Sequence, residues 1–314
     1  MSHAATLALA SPLRRTRVAR AVTAVLAVLL ALAALIICAA VGGLGSAATG
    51  VFLKALAWSS LLAIVPLAIL RFLDRREPES GWLFAAAFLW GGLIATSLAL
   101  PFNTALLVVV AQWLEQNAAL TEMLGPEAAL MIGAPLAAPI VEETTKGIGI
   151  VLLFWLMRSE FDNVRDGFIY GALVGVGFNW FESALYVQQN FAQFGDAPYG
   201  FQLGARYAWL GMAGHAMFSG LFGASLGFAR ATSRGWLRWL APPVGFLLAV
   251  LAHAWNNSLP LFIALASSRA GEAAPTEIEP PPDIGLLEAM VSASLSNLII
   301  FLPFVLLLTW VIRR

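Results

Sequence analysis

Glu142 and Glu143 stand side by side in an apolar run from about Ala128 to Trp155, and Lys146 follows in the same run. An acid at the centre of a membrane helix costs roughly 2.5–3.5 kcal/mol even on lenient scales, so two of them there imply a use. Glu182, His215 and His253 lie in later apolar runs, and Asn257 stands four residues after His253. Two carboxylates, two imidazoles and an amide can hydrolyse an acyl bond. A carboxyl stripped of water holds its proton more tightly and can serve as a general base near neutral pH. Histidine and asparagine can donate to the oxyanion of a tetrahedral intermediate. The same residue types also bind metal. Glu143, Glu182, His215 and His253 are candidate ligands of a zinc ion, whose open position would activate water. The residue types leave metal-dependent and metal-free hydrolysis equally open.

Spacing refines the set. Glu142 and Lys146 are four residues apart and share a helix face, which predicts a pair between them, whereas Glu143 points about 100° away. Phe178 and Glu182 share a face, as do His253 and Asn257. Other chemistries find no support. The sequence has no HExxH, and its five aspartates fall in loops or at helix ends. GASLG at Gly223–Gly227 matches the serine-hydrolase elbow in letters only, since it lies within a helix. The single cysteine, Cys38, excludes an intramolecular disulfide.

The elements that must position these groups are membrane helices. Of the 314 residues, 60% are hydrophobic and 11% charged, against about 25% charged in a soluble domain. The predicted class is an all-α polytopic membrane protein. Eight apolar runs have spanning length: about Val18–Val41, Val51–Phe72, Trp82–Leu114, Ala128–Met157, Phe168–Val187, Tyr207–Ala229, Leu240–Ala266 and Leu287–Ile312. The third is long for one span and is expected to kink at Pro101. The first is read as a retained helix, because its apolar stretch exceeds the roughly 7–15 residues of a signal sequence. Arg14, Arg15, Arg17, Arg20, Arg71, Arg75, Arg76, Arg158, Arg165, Arg230, Arg234, Arg238, Arg313 and Arg314 fall on one side of these spans. Only Arg206 and Arg269 fall on the other. Positive charge marks the cytoplasmic side, so a multi-pass protein of the cell membrane with both termini cytoplasmic is expected. The 18 basic and 18 acidic residues balance, which gives no basis for nucleic-acid binding.

Depth gathers the polar residues. At about 1.5 Å per residue, Glu142 and His253 lie roughly 18–20 Å below the outer surface, His215 roughly 12 Å and Glu182 roughly 8 Å. Helices four to seven thus each bring an acid or a histidine to the middle or outer half of the bilayer, around one buried polar site. Glycines crowd spans five and six, from Gly167 to Gly177 and from Gly211 to Gly227. They would let backbones approach closely. Lys54 lies near a helix end and can snorkel.

EETTK at Glu142–Lys146 resembles the EExxK signature of the PrsW family of intramembrane proteases, distant relatives of the CAAX prenyl protease and Abi families. GFNWFESALY at Gly177–Tyr186 resembles the family's second motif, GHAMFSGLFG at Gly214–Gly223 its histidine motif, and HAWNNS at His253–Ser258 the last. LDRREPESGWLFAAAFLWGG at Leu73–Gly92 resembles its charged loop and following helix. Ser183 departs from the family pattern, which commonly has asparagine there. The resemblance implies an active site of Glu142, Glu143, Glu182, His215, His253 and Asn257. It also implies a metalloprotease label and membrane-anchored protein substrates such as anti-sigma factors. The expected organisation is a leading unit at 1–72, a protease core at 73–266, an external acidic, proline-rich loop at 267–286 and a last helix at 287–314. A proton-coupled transporter using the same glutamates and histidines as a relay is the alternative. No internal symmetry of the kind such transporters show accompanies it.

Overall fold

The helix that carries Glu182 runs through the middle of the molecule, and the others are arranged around it. The computed structural model describes residues 16–298 together with 301, 302, 305, 306 and 309. His3, Arg14, Arg15, Arg313 and Arg314 lie outside the described residues. In chain order the helices are α1 (Thr16–Gly42), α2 (Gly45–Leu73), α3 (Gly81–Leu89), α4 (Thr96–Glu115), α5 (Ala118–Leu124), α6 (Ala128–Leu156), α7 (Val164–Phe194), α8 (Tyr199–Arg206), α9 (His215–Ala231), α10 (Gly235–Asn257), α11 (Leu259–Arg269) and α12 (Leu286–Ser296). No strand occurs among the described residues, so the all-α expectation holds.

α7 is central for local reasons. A capping box starts it: the Asn163 side chain accepts from the Arg165 and Asp166 backbone N–H groups, and Asp166 accepts from the Asn163 N–H. Gly195, in the left-handed region, ends it. Its glycines admit neighbours at backbone distance. A methyl group at Gly171 would lie 2.3 Å from the Ser219 carbonyl oxygen, and one at Gly175 would lie 2.1 Å from that of His215. α9 therefore packs directly against α7, at the level of the histidine. On another side, a methyl at Gly177 would lie 1.9 Å from the Phe88 carbonyl oxygen, so the end of α3 packs as closely.

Four helical stretches are long and apolar enough to cross a membrane: Arg20–Gly42, Gly45–Arg76, Gly81–Glu115 and Gly235–Asn257. The pair α5 and α6, bent by 100° at their junction, makes a fifth if counted as one broken span. The count of eight is thus not reached among the described residues, for three reasons. α7, the expected fifth span, has 31 residues but includes Asn179, Glu182, Gln188, Gln189 and Asn190. It needs no apolar coat, because most of its side chains are buried by protein. The expected sixth span, Tyr207–Ala229, is not one helix. Its first part is a turn at Ala208–Gly211, and α9 begins only at His215. The expected eighth span is described as α12, of 11 residues, and most of the chain beyond Leu298 lies outside the described residues.

Two further details differ from expectation. The irregularity of the third span is a π-helical turn at Trp90–Ala95, while Pro101 sits inside the continuous α4. The expected seventh span divides at Ser258 into α10 and α11, with Pro260 in the first turn of α11.

Candidate active site

Each functional side chain is placed by a local device. The π turn presents Trp90, whose indole N–H donates to the Thr145 carbonyl at 3.1 Å. That contact pins the segment of α6 between Glu142 and Lys146. It needs the glycine at 149, where a methyl would lie 2.3 Å from the indole. His215 is the first residue of α9, after an unusual approach. Trp209 and Leu210 both adopt left-handed backbone, at φ 51° and 60°, a conformation costly for such side chains. Ser294 of α12 holds them there. Its hydroxyl accepts from the Trp209 backbone N–H at 3.1 Å and its carbonyl from the indole at 2.9 Å.

The depth-matched residues do meet. Glu142, Glu143, Lys146, His215 and His253 are buried, as is Glu182. His253 Nδ1 lies 2.9 Å from Glu143 Oε1, and His215 Nε2 lies 2.9 Å from Glu182 Oε2. An ionised carboxylate only accepts, so each imidazole donates N–H to its own glutamate and keeps its other nitrogen as a lone pair. Those remaining nitrogens converge. Glu142 Oε2 lies 3.8 Å from His253 Nε2 and 4.0 Å from His215 Nδ1. Glu142 Oε2 is itself buried, without a hydrogen-bond partner among the described residues.

The expected Glu142–Lys146 pair is not the one formed. The Lys146 ammonium donates to Glu143 Oε1 and to His215 Nδ1 at 2.9 Å, and lies 4.4 Å from the centre of the Phe178 ring. Three-residue spacing on the helix suits this pair as well as four does. Glu142 is left to face a different helix. Asn257 also sits apart from the carboxylates. Its amide donates to the Ala134 carbonyl at 3.2 Å, its oxygen accepts from Asn256, and it lines the cavity below the histidines.

Three contributors are absent from the expected site residues, and of these Ser219 alone lies within a quoted motif. Asn103 of α4 donates its amide to Glu142 Oε1 at 2.9 Å. Arg206 donates to Glu182 Oε2 at 2.6 Å and stacks on the Tyr186 ring at 4.0 Å. Ser219 donates its hydroxyl to Glu143 Oε2 at 3.2 Å. The signal for Asn103 is an amide in mid-span, which is costly unless bonded. Arg206 reads from sequence only as an external loop charge. The turn that folds α8 back toward the bundle has no simple sequence signal.

Glu142 and Glu182 lie where two cavities adjoin. One, of about 630 Å³, is lined by His215, His253, Asn256, Asn257 and Arg206. The other, of about 430 Å³, is lined by Asn103, Thr96 and Gln189. Glu279, Pro281 and Pro282, from the expected external acidic, proline-rich loop, form part of the second wall. Glu142, His215 and His253 can offer three ligand atoms within 4.8 Å of one another. In this group the carboxylate is Glu142 rather than the expected Glu143, whose two oxygens are engaged by Lys146, His253 and Ser219, or Glu182, whose Oε2 is engaged by His215 and Arg206. An orphaned carboxylate oxygen between two imidazole lone pairs suits a divalent ion such as zinc, as does a set of two nitrogens and one oxygen. An ion held there would replace the Lys146 hydrogen bond to His215.

The fold and site together define a helical membrane protein with a carboxylate–histidine centre enclosed by protein. The sequence profile described as PrsW family intramembrane metalloprotease matches residues 79–272, which is more than half of the chain and includes every residue of the centre. The chain belongs to the PrsW family. It is 31% identical to the Protease PrsW of Geobacillus kaustophilus (strain HTA426) over 120 residues, covering 38% of this chain and 47% of that one. The match therefore spans about half of the relative's length. No solved structure matches the chain.

Proposed function

We propose that the protein is a metal-dependent intramembrane endopeptidase that cleaves membrane-anchored or membrane-proximal proteins. The observation that carries this is the unpaired Glu142 Oε2, set between His215 and His253 on the wall of a cavity. Family membership supports the reaction class. Glu142, His215 and His253 would hold the ion, which would supply Lewis acidity and make water a nucleophile near neutral pH. Glu143 and Glu182 fix the ring orientation and tautomer of the two histidines, as carboxylates behind metal-binding imidazoles do.

Glu182 also lines both cavities, so it can take the proton of the attacking water and pass it to the leaving amine. Arg206 keeps that carboxylate in place. Asn256 and Asn257 line the cavity, and each amide retains a second N–H that can donate to the oxyanion. A substrate chain reaches the centre through the cavities. With both termini cytoplasmic, as the charge bias implies, the centre would lie in the middle or outer half of the bilayer. Anti-sigma-factor-like proteins with a single anchor fit this position.

Purified protein in detergent, mixed with a single-span protein substrate, should yield a defined cleavage product. Glu142→Gln should yield none. Proton flux into liposomes without any cleavage would instead support a transporter.

A further inference from the structure

Asn103 belongs to α4, a helix that contributes none of the motif residues. Its amide lies 2.9 Å from Glu142 Oε1. The polarity of this contact is fixed by chemistry. An ionised carboxylate, the form that binds a metal, accepts only, so the NH₂ faces it and the carboxamide oxygen faces away. Glu142 has two oxygens, and Asn103 engages the one that does not face the histidines. The other, Oε2, is the orphan 3.8 Å from His253 Nε2 and 4.0 Å from His215 Nδ1. A carboxylate on a helix can rotate about its last torsion with little resistance. A single donor on one oxygen removes that freedom.

We propose that Asn103 is the positioning residue of Glu142, holding one carboxylate oxygen so that the other presents itself to the two imidazoles. The proposal rests on the metal-dependent site described above. His215 and His253 each have a carboxylate behind them, Glu182 and Glu143, and Asn103 completes the set by standing behind the third ligand. Asn103 Oδ1 is buried and unpartnered among the described residues, and the residue lines the cavity on the side away from the histidines.

The test is zinc affinity of the purified full chain in detergent, measured by competition with a chromogenic chelator. Thermal midpoint of the metal-free protein is the check on folding. Asn103→Ala should weaken zinc binding about 10–100-fold, the usual effect of losing a residue that orients a ligand, with the thermal midpoint nearly unchanged. Asn103→Leu, which keeps the volume and suits an apolar helix, should weaken it equally and carries the test if the alanine variant unfolds. Asn103→Gln retains the amide and should restore affinity to within a few-fold of the parent. Parent-like affinity in folded Asn103→Leu, with binding lost in Glu142→Gln, would overturn the proposal and leave the metal site standing. A parent chain that binds no zinc would overturn the metal site and the proposal with it.

Discussion

His253 Nδ1 lies 2.9 Å from Glu143 Oε1, and the same oxygen accepts from Lys146. One carboxylate on α6 thus orients an imidazole on α10 and neutralises the ammonium three residues along its own helix. Glu143 is both an organising group and half of a buried ion pair, and its two roles predict coupled losses.

Glu143→Gln should therefore cost stability as well as activity, because it leaves Lys146 charged and unpaired where side-chain exposure is nil. Breaking one partner of a buried pair costs about 3–5 kcal/mol. Lys146→Met should cost a similar amount. The double variant should recover part of the loss, as a double-mutant cycle on thermal or denaturant unfolding would show. Strict additivity of the two single changes would refute the pair.

Gly175→Ala should disrupt the centre without touching an ionisable group. The added methyl would sit 2.1 Å from the His215 carbonyl oxygen, so α9 must move away from α7 and take the histidine with it. Overpacking of this kind costs about 1–3 kcal/mol, and zinc binding should fall with it. Gly50→Ala, in the interior of α2 where nothing lies within 4 Å, is the control: zinc binding should match the parent and stability should hold or rise by about 0.5–1 kcal/mol.

Glu79 lies outside the spans, against Tyr170 and near Glu160 and Asp166. The Tyr170 hydroxyl donates to it at 3.0 Å, and Arg71 donates to its backbone carbonyl. Burial, then the neighbouring Glu160 and Asp166 carboxyls, push Glu79 up to about 9 from its ordinary 4.5. The folded state then holds a proton that the unfolded chain releases, so this contribution is full below about pH 4.5 and is lost as pH rises toward 9. Thermal midpoints should fall between pH 6 and pH 9, and Glu79→Gln should flatten that fall. An equally steep fall in the variant would show that Glu79 does not titrate in this range.

The helical class and the convergence of Glu142, Glu143, Glu182, His215 and His253 were legible because ionisable groups in hydrocarbon are too costly to be incidental. Their placement in successive apolar runs was enough to gather them, although the depth of His215 is counted along a span that breaks just before it. What sequence could not show was rotation and backbone breaks. The partner of Lys146 depended on which of two equally reachable glutamates faced it. The left-handed pair Trp209–Leu210, held by Ser294 from a distant helix, cuts short a span that is continuous by hydropathy. α7 falls below its neighbours in hydropathy because it faces protein and tolerates amides that a lipid-facing helix would not, which a count of apolar runs passes over. Asn103 and Arg206 lie outside motif and period because each acts through contacts across helices, a relation that no local spacing encodes.

The central claim is that Glu142, His215 and His253 hold a metal that the reaction requires. It is tested most directly by stripping the purified chain with a chelator and titrating zinc back while following cleavage of a single-span substrate. Cleavage should vanish on stripping and return at about one zinc per chain in the parent, and should not return in His253→Ala. Undiminished cleavage by the stripped parent would contradict the metal site and leave these residues to a metal-free hydrolysis.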